Sequence, residues 1–112
     1  MSLGDELGSV VEIRWHINPF RADAFKEAWE RPAEAVLDYG ATAWAFLHSK
    51  EDPLQFIQLA SFTDKAAFER YWHSEEIVAA RAQASGLYQV PVLPVWYELT
   101  GGSIVSEAAE PA

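Results

Sequence analysis

The sequence predicts an α+β fold, in which an antiparallel sheet of βαββαβ order carries its helices on one face. Alternation of apolar and polar residues indicates strands, and stretches with apolar residues at helical spacing separate them. A charged turn between two apolar runs adds a hairpin in the middle of the chain.

The first strand and helix occupy the first third of the chain. Residues 11–17, VEIRWHI, alternate as expected for a strand with one apolar face, and the Asn-Pro pair that follows ends it. Apolar residues at helical spacing from Phe25 to Tyr39 predict an amphipathic helix. Pro32 falls inside this helix, so we expect a kink or a break near Arg31, and Gly40 to terminate it.

The second and third strands form the hairpin. In residues 41–49, ATAWAFLHS, the even-numbered side chains from Thr42 onward share one face and mostly small residues share the other. The turn KEDP, residues 50–53, leads into residues 54–62, LQFIQLASF, where Gln58 again lies on the even-numbered face. Both faces are largely apolar, so we expect both to be covered.

Two helices and an edge strand complete the domain. Thr63 and Asp64 offer N-cap oxygens to one helix, whereas Ser74 caps a second, shorter helix that Gly86 is expected to close. Two prolines confine the last strand, roughly residues 92–99, to a sheet edge or a bulge. This order of elements predicts a ferredoxin-like split-βαβ sheet.

Composition limits the class of protein. A chain of 112 residues that is 50% hydrophobic suits one domain, which we place at residues 9–100, with flexible segments at residues 1–8 and 101–112. A net charge of −9 without a basic cluster argues against nucleic acid and anionic membranes as partners. No cysteine and no apolar leader suit a soluble cytoplasmic protein.

The sheet face opposite the helices has no element of the chain to cover it. A second copy that packs sheet on sheet is the simplest cover. We therefore expect a homodimer through the open sheet face.

The run from Leu47 to Ser74, LHSKEDPLQFIQLASFTDKAAFERYWHS, resembles the centre of the antibiotic biosynthesis monooxygenase (ABM) family of dimeric α+β barrels. Members carry a hairpin of the form xxSxEDPxxFxxxExW, followed by a helix that begins D-x-x-A-F. The likeness extends over about residues 10–99 and implies the dimeric α+β barrel fold. It is less specific for activity, because relatives include quinol-type monooxygenases, haem-degrading enzymes and barrels with no assigned chemistry.

Similarity to the quinol-type members implies oxygenation without metal, flavin or another cofactor. A pocket between sheet and helices would bind a small phenolic or quinol substrate, and the deprotonated substrate would itself reduce O₂. Members that act on aromatic polyketides place an Asn, a Trp, a Tyr and an Arg there. The hairpin alignment carries these positions to Gln58, Phe62, Phe68 and Arg81, of which only the arginine is unchanged.

Arg81, Gln58 and His73 are the candidate catalytic residues. Arg81 lies on an apolar helix face, where it would stabilise an anion or else reach solvent along its own stem. A buried Gln58 would bind either ligand or backbone. His73, close to a helix end, is either an acid or base or a surface histidine.

Aromatic residues would form the walls of the substrate pocket, although each alone is most simply a packing residue. The expected substrate-binding residues are Trp29, Trp44, Phe62, Phe68, Tyr71 and Trp72. No histidine has metal-ligand spacing, so no metal site is expected. Tyr71 and Arg81 occupy the positions of the Trp and the iron-ligating His of haem-degrading relatives, which argues against that activity unless His73 substitutes for the missing ligand. A non-catalytic small-molecule-binding or assembly module, and a cofactor-free isomerase or cyclase, remain alternatives on the same scaffold.

Overall fold

A computed structural model describes residues 8–104 and shows the predicted α+β architecture. The chain forms a four-stranded antiparallel sheet in the ferredoxin-like order β2-β3-β1-β4. The elements are β1 (Ser9–His16), α1 (Ala22–Glu34), β2 (Ala41–His48), β3 (Gln55–Phe62), α2 (Lys65–Trp72), α3 (Glu75–Gln83) and β4 (Val95–Glu98). Most of the predicted flexible segments, residues 1–8 and 101–112, lies outside the described residues.

Helix α1 contains Pro32 and is not broken there. The helix continues to Glu34 and then tightens into a 3₁₀ turn, Ala35–Tyr39, so the alternative of a break near Arg31 is wrong. Pro32 has no N–H and so removes one helical hydrogen bond, but only two further residues of the helix follow it, and its carbonyl accepts a hydrogen bond from the Tyr71 hydroxyl at 2.6 Å. The turn ends at Gly40, with φ of 97°, as predicted.

The middle of the sheet lies under the helices. Strand β3 pairs with β1 and β2, which places Gln58 between Ile13 and Phe46. A register shift between Ala41 and Ala43 interrupts the pairing of β2 with β3. The sequence predicts that side chains of β2 alternate between the two sheet faces from Thr42 onward. This alternation holds only from Ala43 onward, because a bulge adds a residue and changes the face to which neighbouring side chains point.

The ends of the last elements differ in detail from the prediction. Helix α3 ends at Gln83, and Gly86, at φ of 92°, lies in the loop beyond it. Strand β4 is an edge strand, as predicted, but is shorter than residues 92–99 because both prolines precede it. None of the helices among residues 8–104 is both long enough and apolar enough to span a bilayer.

Aromatic rings fill the space between sheet and helices. Trp15 is fully buried, with its ring centroid 4.7 Å from that of Trp29 and 5.2 Å from that of Phe25. The largest buried side chains are Trp15, Trp29, Tyr71, Phe25, Phe56, Phe62 and Phe68. This packing supplies most of the apolar burial that stabilises the fold.

The open sheet face, which carries the odd-numbered residues of β3, is mixed in character. Leu59 is half-buried there, and Tyr97 of β4 is exposed. Arg14 forms an ion pair with Glu12 at 2.9 Å on β1, on the face opposite the apolar one that the alternation of this strand predicts.

Candidate functional site

Gln58 is 1% exposed and anchors a hydrogen-bond network inside the core. Its Oε1 accepts from Trp29 Nε1 at 2.8 Å, and its Nε2 donates to the Tyr71 hydroxyl at 3.1 Å. The Tyr71 hydroxyl in turn donates to the Pro32 carbonyl. The expectation that Gln58 binds ligand or backbone is therefore replaced by a third arrangement, in which it binds two side chains from α1 and α2.

Burial raises the pKa of Tyr71 above its ordinary value, and the Gln58 hydrogen bond only partly opposes this. The phenol therefore stays protonated at neutral pH and acts as a donor to the Pro32 carbonyl. This chemistry suits a positioning role better than that of a general base.

Arg81 lies against the end of α2. Its Nη2 donates to the Trp72 carbonyl at 2.7 Å, and its guanidinium carbon lies 4.2 Å from the centroid of the Trp72 ring. No carboxylate among the described residues forms an ion pair with Arg81. Its Nε is buried without a hydrogen-bond partner, so part of the guanidinium can still donate to an anion.

Tyr88 lies next to this arginine, and Trp15 contacts Tyr88. The Tyr88 hydroxyl donates to the Arg81 carbonyl at 3.4 Å, and its ring meets Trp15 edge-on at 4.8 Å. Burial raises the pKa of Tyr88, while the positive charge of Arg81 acts to lower it. Trp15 Nε1 is a second buried donor without a hydrogen-bond partner, so two such donors lie on the side of the core where Arg81 is found.

His73 is separate from both groups. It follows α2 as its C-cap, is exposed, and lies 3.2 Å from the Glu69 carboxylate. Its position matches the second alternative of the sequence analysis, a surface histidine near a helix end.

The predicted wall residues differ in burial. Trp29, Phe62, Phe68, Tyr71 and Trp72 are buried in the core, whereas Trp44 is half-buried near the sheet edge. Three depressions on the surface of residues 8–104 are lined by residues other than Gln58, Tyr71 and Arg81. Residues 8–104 also contain no group of three or more carboxylate, histidine or cysteine side chains that could hold a metal ion.

One of these depressions is a groove that the sequence analysis missed. It runs between α1 and β2, and we refer to it as the edge groove; it is lined by Lys26, Glu30, Trp44, Ala45, Phe46, His48 and Phe56. Two signals in the sequence could have indicated it. Lys26 and Glu30 are spaced by one helical turn. Trp44, Phe46 and His48 share one strand face.

Solved structures with the same fold include several named as antibiotic biosynthesis monooxygenases. A Nitrosomonas europaea protein, provisionally so named, aligns with a TM-score of 0.71 at 19% identity, over 80% of this chain and 95% of its own. SnoaB of Streptomyces nogalater, described as a cofactor-independent oxygenase, aligns with a TM-score of 0.67 at 16% identity, over 88% and 97%. A conserved protein of Methanosarcina mazei reaches 0.73 at 14% identity, over 85% and 95%.

No protein-family sequence model matches the chain, and no curated protein matches it either. The structural likeness thus covers nearly the whole of each neighbour at low sequence identity. The chain has the fold of the ABM structures, as its central hairpin and helix indicate, and that likeness concerns fold rather than chemistry.

Proposed function

We propose that this protein is a cofactor-independent monooxygenase that binds a small phenol or quinol beside Arg81. The observation that carries the proposal is the state of this arginine, which is half-buried, has no carboxylate partner among the described residues, and has an unpartnered Nε. A cation in this setting favours binding of an anion. The fold likeness to SnoaB supports the same class of chemistry.

In the proposed reaction, the guanidinium stabilises the substrate as a phenolate, whose proton leaves to solvent. The phenolate gives one electron to O₂, and the resulting superoxide and substrate radical combine to form a carbon–oxygen bond. The peroxide anion that results takes up a proton from solvent and becomes a hydroperoxide. Loss of water from this hydroperoxide leaves one oxygen atom in the product as a quinone carbonyl. Gln58 and Tyr71 act in this scheme as positioning residues that hold the helices on the sheet.

Oxygen uptake with menadiol tests the proposal. We expect Arg81→Ala to lower the enzyme-dependent rate by about tenfold or more, and Arg81→Lys to retain part of it, because lysine keeps the charge but not the planar donor array. Arg70→Ala changes an exposed arginine in the last turn of α2 and should have no effect. Equal rates for the native protein and a folded Arg81→Ala variant would reject the assignment.

A non-catalytic binding or assembly module is the second candidate. The engagement of both polar atoms of Gln58 by side chains of the core favours it, because neither atom is then free to bind a ligand. This candidate predicts no oxygen uptake above the spontaneous rate of menadiol oxidation. A spectral titration with hemin separately tests haem binding, for which we expect no shift of the haem absorption band.

We also propose that two copies associate through the open sheet face. An apolar depression of about 170 Å³ lies there, lined by Leu59 and by parts of β1 and β2. Burial of this surface would add the apolar layer that a single chain lacks. Sedimentation equilibrium at micromolar concentration should show a dimer for the native protein and a shift toward monomer for Leu59→Arg, but not for Leu37→Arg. A native monomer would reject this interface.

A further inference from the structure

We propose that the edge groove binds a hydroxylated aromatic carboxylate of one or two rings. The groove has a volume of about 200 Å³, below the roughly 300–1,000 Å³ of pockets for drug-sized ligands, so it would take only a ligand of one or two rings. Strand β2 is the outer strand of the sheet, so no further strand of the described chain closes the groove. The site lies apart from Arg81 and does not depend on the proposed oxygenase reaction.

Flat rings form the inner wall of the groove. Phe46 and Phe56 are stacked with centroids 5.3 Å apart and an angle of 23° between their planes. The His48 ring is nearly parallel to Phe56 at 4.1 Å, and Trp44 adds a half-buried indole. A planar aromatic ligand fits such a wall better than a branched aliphatic one, because ring faces and edges pack in offset or edge-on contacts.

The tautomer of His48 is fixed by its hydrogen bond. Its Nε2 lies 2.8 Å from the Pro53 carbonyl oxygen, which can only accept, so Nε2 carries the proton. With the proton on Nε2, the lone pair of the imidazole is on Nδ1. This nitrogen can accept a hydrogen bond from a ligand hydroxyl group.

Two opposite charges from α1 complete the site. Lys26 and Glu30 line the groove one helical turn apart, both exposed, and neither takes part in an ion pair among the described residues. Lys26 is placed to bind the ligand carboxylate, while Glu30 can accept from a hydroxyl group. The opposite charges would orient the ring along the groove.

Calorimetric titration with 3-hydroxy-2-naphthoate tests the site, with 2-naphthol as the analogue that lacks the carboxylate. We expect Lys26→Gln to raise the Kd of the acid by about fivefold and to leave that of 2-naphthol unchanged. Lys50→Gln, in the hairpin turn outside the groove, is the matched control. Absence of binding to the native protein, or equal losses in both lysine variants, would overturn the proposal.

Chemical-shift mapping with the same acid locates the ligand. We expect perturbed amide resonances in residues 26–30 and 44–48, and an unchanged Kd in Arg81→Ala. This second result separates the groove from the proposed oxygenase site, since loss of oxygen uptake in Arg81→Ala leaves binding in the groove intact. Shifts centred on Arg81 and Trp72 instead would overturn the assignment to the groove.

Discussion

Trp29 Nε1 donates a hydrogen bond to Gln58 Oε1 across 2.8 Å, in a part of the core where neither group meets water. The bond ties α1 to the middle strand of the sheet, and the Gln58 amide nitrogen extends the tie to Tyr71 on α2. A buried polar group lowers stability sharply when its partner is removed, so this network determines much of how the helices sit on the sheet.

Gln58→Ala should lower the free energy of unfolding by about 2–4 kcal/mol, because it leaves a cavity and leaves the buried Trp29 Nε1–H without an acceptor. Gln83→Ala, on the exposed face of α3, should change it by less than about 0.5 kcal/mol. Urea unfolding followed by circular dichroism measures both. A loss below about 1 kcal/mol for Gln58→Ala would show that the network is not a major anchor.

Tyr71 should make the fold sensitive to alkaline pH. Its pKa is raised in the folded chain, so the folded state holds this proton more tightly, and the resulting stability is present below about pH 10 and lost as pH rises further. Tyr71→Phe should therefore be less stable than native at pH 8 but lose stability less steeply above pH 10.

The raised pKa of Tyr88 adds to the same alkaline loss, so Tyr71→Phe should reduce the slope without abolishing it. Urea unfolding at several pH values between 8 and 11 measures the slope, and Tyr97→Phe serves as a control at an exposed tyrosine. Parallel pH profiles for native and Tyr71→Phe proteins would contradict the assignment.

The caps of α2 and α3 should contribute separately to stability. Asp64 Oδ1 accepts from the Ala67 amide at 2.7 Å, and Ser74 Oγ accepts from the Ile77 amide at 3.2 Å. Asp64→Ala and Ser74→Ala should each cost about 1 kcal/mol in thermal or urea unfolding. The Ser74 variant should lose more, because this hydroxyl also donates to the Tyr71 carbonyl at 2.8 Å. The reverse order would argue against this dual role.

Phe20 combines a positive φ of 67° with 98% exposure of its side chain. A bulky side chain is strained in the left-handed region, so Phe20→Gly should raise the free energy of unfolding by about 1 kcal/mol. Phe20→Ala removes the ring but keeps the Cβ atom and should gain less. Equal effects of the two variants would assign the change to the exposed ring rather than to the backbone.

The order of strands and helices could be predicted because it depends on local patterns. Alternation marks the strands, and Gly40, Asp64 and Ser74 mark helix ends by their backbone or capping chemistry. The continuous helix at Pro32 was not predictable in this way. The Pro32 carbonyl accepts from Tyr71, a partner 39 positions away that no local pattern indicates.

The candidate site was less predictable than the fold for a related reason. The many aromatic residues suggested room for a flat ligand, and rings such as Trp15 and Phe25 also pack against each other in the core. The sequence gives the volume of each side chain, but the size of the space between helices and sheet depends on how these elements pack. The partners of Gln58 and the wall of the edge groove likewise depend on how α1 lies over the sheet.

The register shift at the start of β2 affects how copies of this chain can meet. An outermost strand with unpaired amides invites lateral addition of another strand, which is the route to open-ended fibres. The register shift between Ala41 and Ala43 makes edge strand β2 irregular. At the opposite edge of the sheet, the prolines that precede β4 keep that strand short. Growth by strand addition is thereby discouraged at both margins, which leaves association through a flat surface as the closed and self-limiting alternative.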